Sequence, residues 1–354
     1  MDDITLNQNP KLGSVDRPNS YIGRSLTRDG AKKHLEGKGQ FVDDLILPRM
    51  VNLAFLRSPY AHAEIKSINI NEAKKYPGVI NIYIAEDMDK VCKPWVGVLG
   101  HLGEMRSPEQ SPLVKKIARW QGEPVAIVVA NTRAQAEDAL EAIDIDWLEK
   151  EPQIDMETAL EKDAVVIHKE LGNNLFWTRT VEQGDVQKGF NASSTVVETT
   201  LDFARHTGVT LEPRGIVADW NKSEEKMTIY HNGQAPHMMQ HIIAKHFNIS
   251  EGLVRVVSKD VGGSFGIKVH VYGDEMAAIA VSKLLGRPVK FVADRLESFT
   301  TDIHARCHKI SGKLGLDDKG KIIAMEINDL SGIGPYSMYP RTSAIETNQV
   351  LNLS

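Results

Sequence analysis

Leu253-Val254-Arg255-Val256-Val257, then Asp260-Val261-Gly262-Gly263-Ser264-Phe265-Gly266-Ile267-Lys268, then an alanine-rich stretch from Gly273 to Leu285 and Val289-Lys290-Phe291-Val292-Ala293 before Asp294, read as one unit. The two β-branched runs predict strands. The alanine-rich stretch predicts a helix stopped by Gly286 and Pro288. Glycines at a strand-to-helix corner permit positive φ and let backbone N–H groups approach a ligand closely. A helix N-terminus just beyond adds positive dipole, so an anionic or oxo ligand suits such a corner. The spacing Gly262-Gly263-x-x-Gly266 departs from the G-x-G-x-x-G of dinucleotide folds, while Asp294 can stand in for their ribose-binding acid. A nucleotide-binding fold and a purely structural βαβ corner both stay open at this point.

Upstream of the corner, Ile216 to Trp220 and Lys226 to His231 predict a hairpin through Asn221-Lys222-Ser223, and Pro236 to Phe247 an amphipathic helix. Ser194 to Phe203 alternates polar and apolar as a half-buried strand does. Earlier still, Met50 to Leu56, Ala63 to Ile70 and Val79 to Ile84 predict strands, with a brief helix from Asn71 to Tyr76. Val125 to Ala130, a helix capped by Asn131 or Thr132, and Ile143 to Trp147 give a βαβ-like pattern. Downstream, Ile310 to Leu316 and Lys321 to Ile327 flank Asp317-Asp318-Lys319-Gly320, a strong hairpin signal. Residues 1–21 are a polar tail, 22–150 a first domain, 151–168 a connector and 169–354 a second domain.

Apolar content of 42% and charged content of 25% place the chain among ordinary soluble proteins, and 354 residues suffice for two or three domains. A formal net charge of −5 without a Lys/Arg block gives no nucleic-acid surface. No apolar run approaches the roughly 20 residues of a membrane span. The polar Met1-Asp2-Asp3 opening argues against a secretory signal, so the expected location is cytoplasmic. Two cysteines, Cys92 and Cys307, can neither frame a disulfide scaffold nor hold an iron–sulfur cluster by four thiolates.

Three motifs favour bland readings. Gly315 to Lys321 has P-loop spacing, but Ile322 follows where Ser or Thr must bind Mg²⁺, so a hairpin turn is preferred. His237 and His241 share a helix face at i, i+4, but Met238 stands where a zinc protease needs Glu. His304, Cys307 and His308 are a coincidental cluster on an extended segment.

The surroundings of the corner carry more information. Gln234-Ala235-Pro236-His237 followed by Asp260 to Lys268 resembles the T-Q-x-P-H and D-V-G-G-G-F-G-x-K runs of the molybdenum hydroxylases. This is the xanthine dehydrogenase, aldehyde oxidase and aerobic carbon monoxide dehydrogenase large-subunit family. Gly233 and Ser264 depart from that pattern. Ile22-Gly23-Arg24, Gly37 to Asp44, Arg57-Ser58-Pro59-Tyr60-Ala61-His62, Gly122-Glu123-Pro124-Val125-Ala126 and Leu211-Glu212-Pro213-Arg214-Gly215 match in order. The resemblance covers most of the chain.

It implies an α+β fold, an α/β hammerhead domain over 22–150 followed by the first part of a molybdopterin-binding α+β domain. It implies a molybdenum–molybdopterin cofactor in the cytosine dinucleotide form, with Gln234 beside an oxygen ligand of the metal, Phe265 and Gly266 against its apical face, and Gly262 and Gly263 shaping the turn. The implied reaction is oxidative hydroxylation of an aldehyde, N-heterocycle or carbon monoxide with water as oxygen source. The metal acts as Lewis acid and electron sink, and a glutamate as general base. Val269 stands where purine-oxidising members carry Glu, which argues against a xanthine-type substrate. His206, Glu212 and Arg214 lie in a matching segment without an assigned role.

The family's base-bearing glycine-rich motif is expected beyond Ser354, so no catalytic residue or metal ligand is assigned within the chain. The sequence is expected to be a split or truncated large subunit, inactive alone. The implied partners are a polypeptide with the C-terminal half, an iron–sulfur subunit with 2Fe-2S clusters, an FAD subunit and a small-molecule substrate, with no nucleic acid and no membrane span. The competing readings are a non-catalytic assembly or scaffold subunit and, more distantly, a nucleotide-binding α/β protein.

Overall fold

The computed structural model describes residues 25, 28, 30–97, 104–305 and 307–340. The predicted tail over 1–21, the Ile22-Gly23-Arg24 match and the final residues 341–354 lie outside them. The chain divides into two compact units, Met1–Gln40 and Phe41–Ser354. In the first, the described helix is α1 (Ala31–Leu35), five residues with no buried side chain.

The second unit runs β1 (Val51–Arg57), β2 (Ala63–Asn69), β3 (Val79–Tyr83), α2 (Ala85–Met88), β4 (Trp95–Val96), β5 (Glu109–Gln110), β6 (Ile117–Ala118), β7 (Pro124–Ala130), α3 (Arg133–Leu140) and β8 (Asp144–Glu149). It continues with α4 (Val186–Asn191), β9 (Thr195–Phe203), β10 (Gly215–Asn221), β11 (Lys226–His231), α5 (Pro236–Phe247), β12 (Val254–Val257), α6 (Gly273–Leu285), β13 (Val289–Val292), α7 (Arg295–Thr301), β14 (His308–Leu316) and β15 (Ile322–Ser331).

A seven-stranded sheet in the order β12-β11-β10-β13-β1-β7-β3 forms the centre. It draws strands from both halves of the sequence. β1 lies parallel to β13, with Val51 opposite Val289. β12 and β13 flank α6 as the sequence predicts, but the β10–β11 hairpin is inserted between them, so they are not neighbours. The pattern over 125–147 is not a βαβ unit. β7 pairs antiparallel with β1 and β3, whereas β8 crosses to a separate three-stranded sheet and pairs antiparallel with β2. Periodicity identifies a strand but not the sheet it joins.

Strand alternation sorts the core. Leu53, Phe55, Ile127, Val129, Ile216 and Ile229 pack with α5 and α6 through Ile242, Phe247, Met276 and Ile279. On the other face Ala54, Ala126 and Val128 meet Ala136 and Ala139 of α3. β7 is buried on both faces along its whole length, which is why Pro124–Ala130 is nearly continuous hydrocarbon. Thr132 caps α3, accepting from the Gln135 N–H at 3.3 Å while Gln135 answers in a capping box. The predicted helix over 71–76 is a single 3₁₀ turn, Ala73–Lys75.

One buried ionic cluster locks the sheet to its helices. Arg214, fully removed from solvent just before β10, grips Asp274 with both terminal nitrogens at 2.8 and 2.9 Å. It also reaches Glu275 at 3.1 Å, Asp302 at 2.6 Å and the Thr301 hydroxyl at 2.9 Å, and its guanidinium stacks 3.7 Å from the centre of the Tyr272 ring. Arg57, at the end of β1, adds bonds to Asp274 at 3.0 Å and Glu297 at 2.9 Å. Burial alone would raise the Asp274 carboxyl, but the Arg214 and Arg57 guanidiniums outweigh it and hold it well below the usual carboxylate range. Burial pushes Asp302 the other way, against Arg214.

Glu123, of the matched Gly-Glu-Pro run, is 6% exposed, and burial pushes its carboxyl up to about 7 although the Arg119 N–H donates to it at 2.6 Å.

Two outcomes follow from these charges. Arg214→Ala strands three buried carboxylates and is expected to lower the unfolding free energy by about 3–5 kcal/mol in a denaturant titration. What Asp274 contributes is fully present above the ordinary carboxylate range and fades as pH falls through its depressed value. Glu123 has the opposite sign, because its folded value is raised. Its contribution is present in acid and is lost as pH rises through about 7. Thermal unfolding of Glu123→Gln across pH 5–8 is therefore expected to show a flatter profile than the parent protein.

Candidate functional site

Gln234 lies between β11 and α5, and the glycine turn lies between β12 and α6, 28 residues further on at Gly262. The structure brings them together. The Gln234 backbone N–H donates to the Lys268 carbonyl at 3.2 Å, while its side-chain Oε1 accepts from the Gly266 N–H at 3.1 Å and from the Ser264 hydroxyl. A backbone N–H can only donate, so the Gln234 carbonyl oxygen must face the turn. The amide NH₂ is thereby aimed the other way. Among the described residues it has no partner.

The backbone of the turn is strained where a close approach needs it. Phe265 has φ +50° and is 78% exposed, and Gly266 has φ +93° with open space where a Cβ would point. Gly263 has φ +102°, with the Phe265 ring lying over it. Gly262 is needed for a different reason. A Cβ there would meet the Glu212 Cβ at 2.4 Å.

Glu212 is the anchor of the turn. Its Oε2 accepts from the Gly262 N–H at 2.7 Å and from the buried Lys268 ammonium at 3.3 Å. Its backbone N–H donates to the Gly262 carbonyl at 3.1 Å, and its carbonyl accepts from Lys268 Nζ at 2.8 Å. Burial lowers the Lys268 ammonium and Glu212 opposes that shift. The segment around Glu212 and Arg214 thus has structural work on both sides of Pro213. The signal in the sequence was the Leu-Glu-Pro-Arg match, but nothing there links residues 212 and 262. His206 is exposed and makes an isolated bridge to Ala305 through backbone bonds.

The helix beyond the turn begins at Gly273 as the sequence predicts, but a 3₁₀ turn over Ile267–Val269 separates it from the glycines, so the expected dipole at the corner needs revision. Asp274 and Glu275 fill its first turn, so its dipole is answered within the Arg214 cluster and not at the glycines. Asp294, the candidate ribose-binding acid, caps α7, accepting from the Glu297 N–H at 2.7 Å in a capping box. Gly315–Lys321 is the hairpin turn between β14 and β15. His241 faces Glu251 at 3.3 Å and His308 faces Asp329 at 2.9 Å. No group of three or more His, Cys, Asp or Glu suited to a metal occurs among the described residues.

Two cavities lie elsewhere, about 530 Å³ lined by Arg119, Met156, His168 and Cys307, and about 320 Å³ lined by Arg57, Tyr272, Asp302 and His304. Neither is lined by Gln234 or by the turn. The turn is the candidate site on other grounds: it joins an unpartnered side-chain amide to positive-φ backbone that is open to a ligand. The donor set fits an oxo-bearing group: an uncharged amide with two N–H donors beside backbone that lacks side chains at Gly262, Gly263 and Gly266. No helix among the described residues is long and apolar enough to cross a membrane.

Comparison with known proteins gives the family. Residues 167–353 match the family model for the molybdopterin cofactor-binding domain, and residues 36–151 match the aldehyde oxidase and xanthine dehydrogenase a/b hammerhead domain. The chain is 31% identical over 327 residues to the carbon monoxide dehydrogenase large chain of Hydrogenophaga pseudoflava, covering 88% of this chain and 40% of that one. It is 29% identical to the nicotine 6-hydroxylase large subunit of Paenarthrobacter nicotinovorans, covering 96% and 41%. Quinoline 2-oxidoreductase from Pseudomonas putida 86 superimposes with a TM-score of 0.87 at 31% identity, covering 91% and 41%. The chain therefore spans about two fifths of the length of the curated relatives it matches.

The turn glycines can be told apart by substitution. Gly262→Ala is expected to cost about 1–3 kcal/mol through the collision with Glu212. Gly266→Ala, with no neighbour to strike, is expected to cost only about 1–2 kcal/mol of backbone strain. Denaturant unfolding of both variants, with Gly320→Ala as a strained turn remote from Glu212, checks the order.

Proposed function

This chain belongs to the molybdenum hydroxylase family, as part of its molybdenum-binding large subunit, and from that premise we propose that it builds one wall of the molybdopterin site in an enzyme of oxidative hydroxylation. The observation that carries the reading is the fixed amide of Gln234. Its oxygen is tied to Gly266 and Ser264, so both N–H donors point away from those contacts and are left for a group bound beside them. A neutral donor holds an oxo group in place without transferring a proton to it, and a donor already oriented loses nothing to reorganisation. Gln234, Gly262, Gly263, Phe265 and Gly266 would hold the cofactor, in the cytosine dinucleotide form. When bound, that group supplies a Lewis acid and a two-electron sink.

The other wall, with a glutamate as general base, lies in sequence outside these 354 residues, in this or another polypeptide. The share of the relatives' length that the chain covers supports that assignment, as it supports a subunit that does not turn over alone. Iron–sulfur and FAD subunits would carry electrons away, since Cys92 and Cys307 cannot bind a four-thiolate cluster. The substrate class is an aldehyde, an N-heterocycle or carbon monoxide. Val269 in place of a glutamate leaves no carboxylate at that position to orient a purine. Relatives named for carbon monoxide and relatives named for nicotine and quinoline support two of these classes alike.

Molybdenum and pterin analysis of the complex purified through this chain tests the proposal. Stoichiometric metal is expected, with Gln234→Ala keeping the metal and losing about 10²–10³-fold in kcat, the usual loss for one oriented donor. A stable complex without metal or pterin would point instead to a scaffold subunit.

A further inference from the structure

β9, β14 and β15 form a three-stranded antiparallel sheet of their own. Residues directly opposite each other share a face, so the pairing register sorts every side chain. One face carries the rows Thr195–Leu316–Ile322, Val197–Leu314–Met325, Thr199–Gly312–Ile327 and Leu201–Ile310–Asp329. The opposite face carries Glu198–Lys313–Glu326, Thr200–Ser311–Asn328 and Asp202–Lys309–Leu330. The first is free of charge across its first three rows, with Thr195 and Thr199 its only polar side chains there, and the second is polar with alternating charge apart from its Val196–Gly315–Ala324 row.

Antiparallel sheets bury their apolar face and leave the polar one to water. Here the short helix α4 packs on the polar side, with Gly189 against Ala324 and the Lys313 ammonium 5.0 Å above the Phe190 ring. The apolar side is left open. Val197 and Leu201 are each 51% exposed, Phe203 50%, Met325 45% and Ile322 54%. Three strands about 4.8 Å apart, with same-face rows about 6.8 Å apart along them, give the three uncharged rows a face of roughly 300 Å². A contiguous patch of that size on a soluble protein is often functional.

We propose that this apolar face is the seat of the remaining part of the molybdenum large subunit, the larger share of the relatives' length that lies outside these 354 residues. This rests on the reading given under Proposed function. The occupant is identified by what the face offers and by how much chain must find a place. The first three rows present no charge, so a charged or nucleic-acid partner gains nothing there. The matched relatives carry more residues beyond the matched part than within it, enough to lay a complete apolar layer of sheet or helix across the face. Docking would then complete the core of the second domain.

Hydroxyl-radical footprinting of the assembled molybdenum subunit tests this, with dose calibrated by an added reporter peptide. Leu314 and Met325, which share the second row, are expected to label at least about tenfold less in the assembly than in the 354-residue chain purified alone, as for side chains at the centre of an interface. Leu201→Lys combined with Ile327→Lys is expected to restore their labelling in the assembly and to leave the melting of the chain alone nearly unchanged. High labelling in both preparations would overturn the proposal. So would protection in the chain alone, whether dimeric by light scattering (a second copy) or monomeric (residues 341–354). Molybdenum content of the same assembly keeps the two readings apart: protection without metal or pterin leaves the docking face standing and removes the catalytic assignment.

Discussion

Arg214 carries a full charge with none of its surface in water, and everything near it is arranged to make that tolerable. Burying an unpaired guanidinium would cost several kcal/mol, so it is met by three carboxylates, a hydroxyl and an aromatic face. These partners come from the first turn of α6, the end of α7 and the residue just before α6. Arg57 brings in the end of β1 through the shared Asp274 carboxylate. Two guanidiniums face four carboxylates, Asp274, Glu275, Asp302 and Glu297; Asp274, held by both guanidiniums, stays ionised, while burial pushes Asp302, held by Arg214, toward its neutral form. The motifs that mark the sequence are largely the shell of this cluster. Arg57 opens one, Arg214 closes another, and Gly122 accepts from Arg57 at 3.2 Å.

Two residues before Arg214, Glu212 applies the same logic at the surface of the site. It holds Lys268 and the Gly262 amide on one carboxylate, which fixes the glycine turn against β10's leading segment. The turn in turn fixes Gln234. A chain of contacts therefore runs from the buried cluster to the exposed amide with no gap larger than a hydrogen bond. Ser264, where the resembled family has glycine, adds a hydroxyl to the Gln234 oxygen, so this chain holds its amide with two donors.

Much of this was legible in the residues. α5 and α6 follow from their apolar spacing and their stops at Asn248 and Gly286, both in the left-handed conformation. The β10–β11 and β14–β15 hairpins follow from alternation and turn residues. Gln234 and the glycine turn were found by motif, and their contact is what the structure adds. Long-range pairing was not legible. β9 joins β14 across more than a hundred residues, and β7 and β8, adjacent in sequence, enter different sheets. Helix α7 was missed although its capping box, Asp294 to Glu297, stands in the sequence, because Asp294 had been read as a ligand-binding acid. Glu212 and Arg214 were noticed without a role, since a pairing between distant charges leaves no local pattern.

The parallel pairing of β1 with β13 has a consequence for how such a protein can change over time. Residues 36–151 and 167–353 match separate family models, yet Val51 hydrogen-bonds across that division, accepting none of the independence the two matches suggest. The central sheet is woven, with three strands from one segment laid beside four from the other. A segment with its own sheet can be exchanged between genes as a cassette. One that supplies the edge of its neighbour's sheet is inherited with that neighbour or not at all.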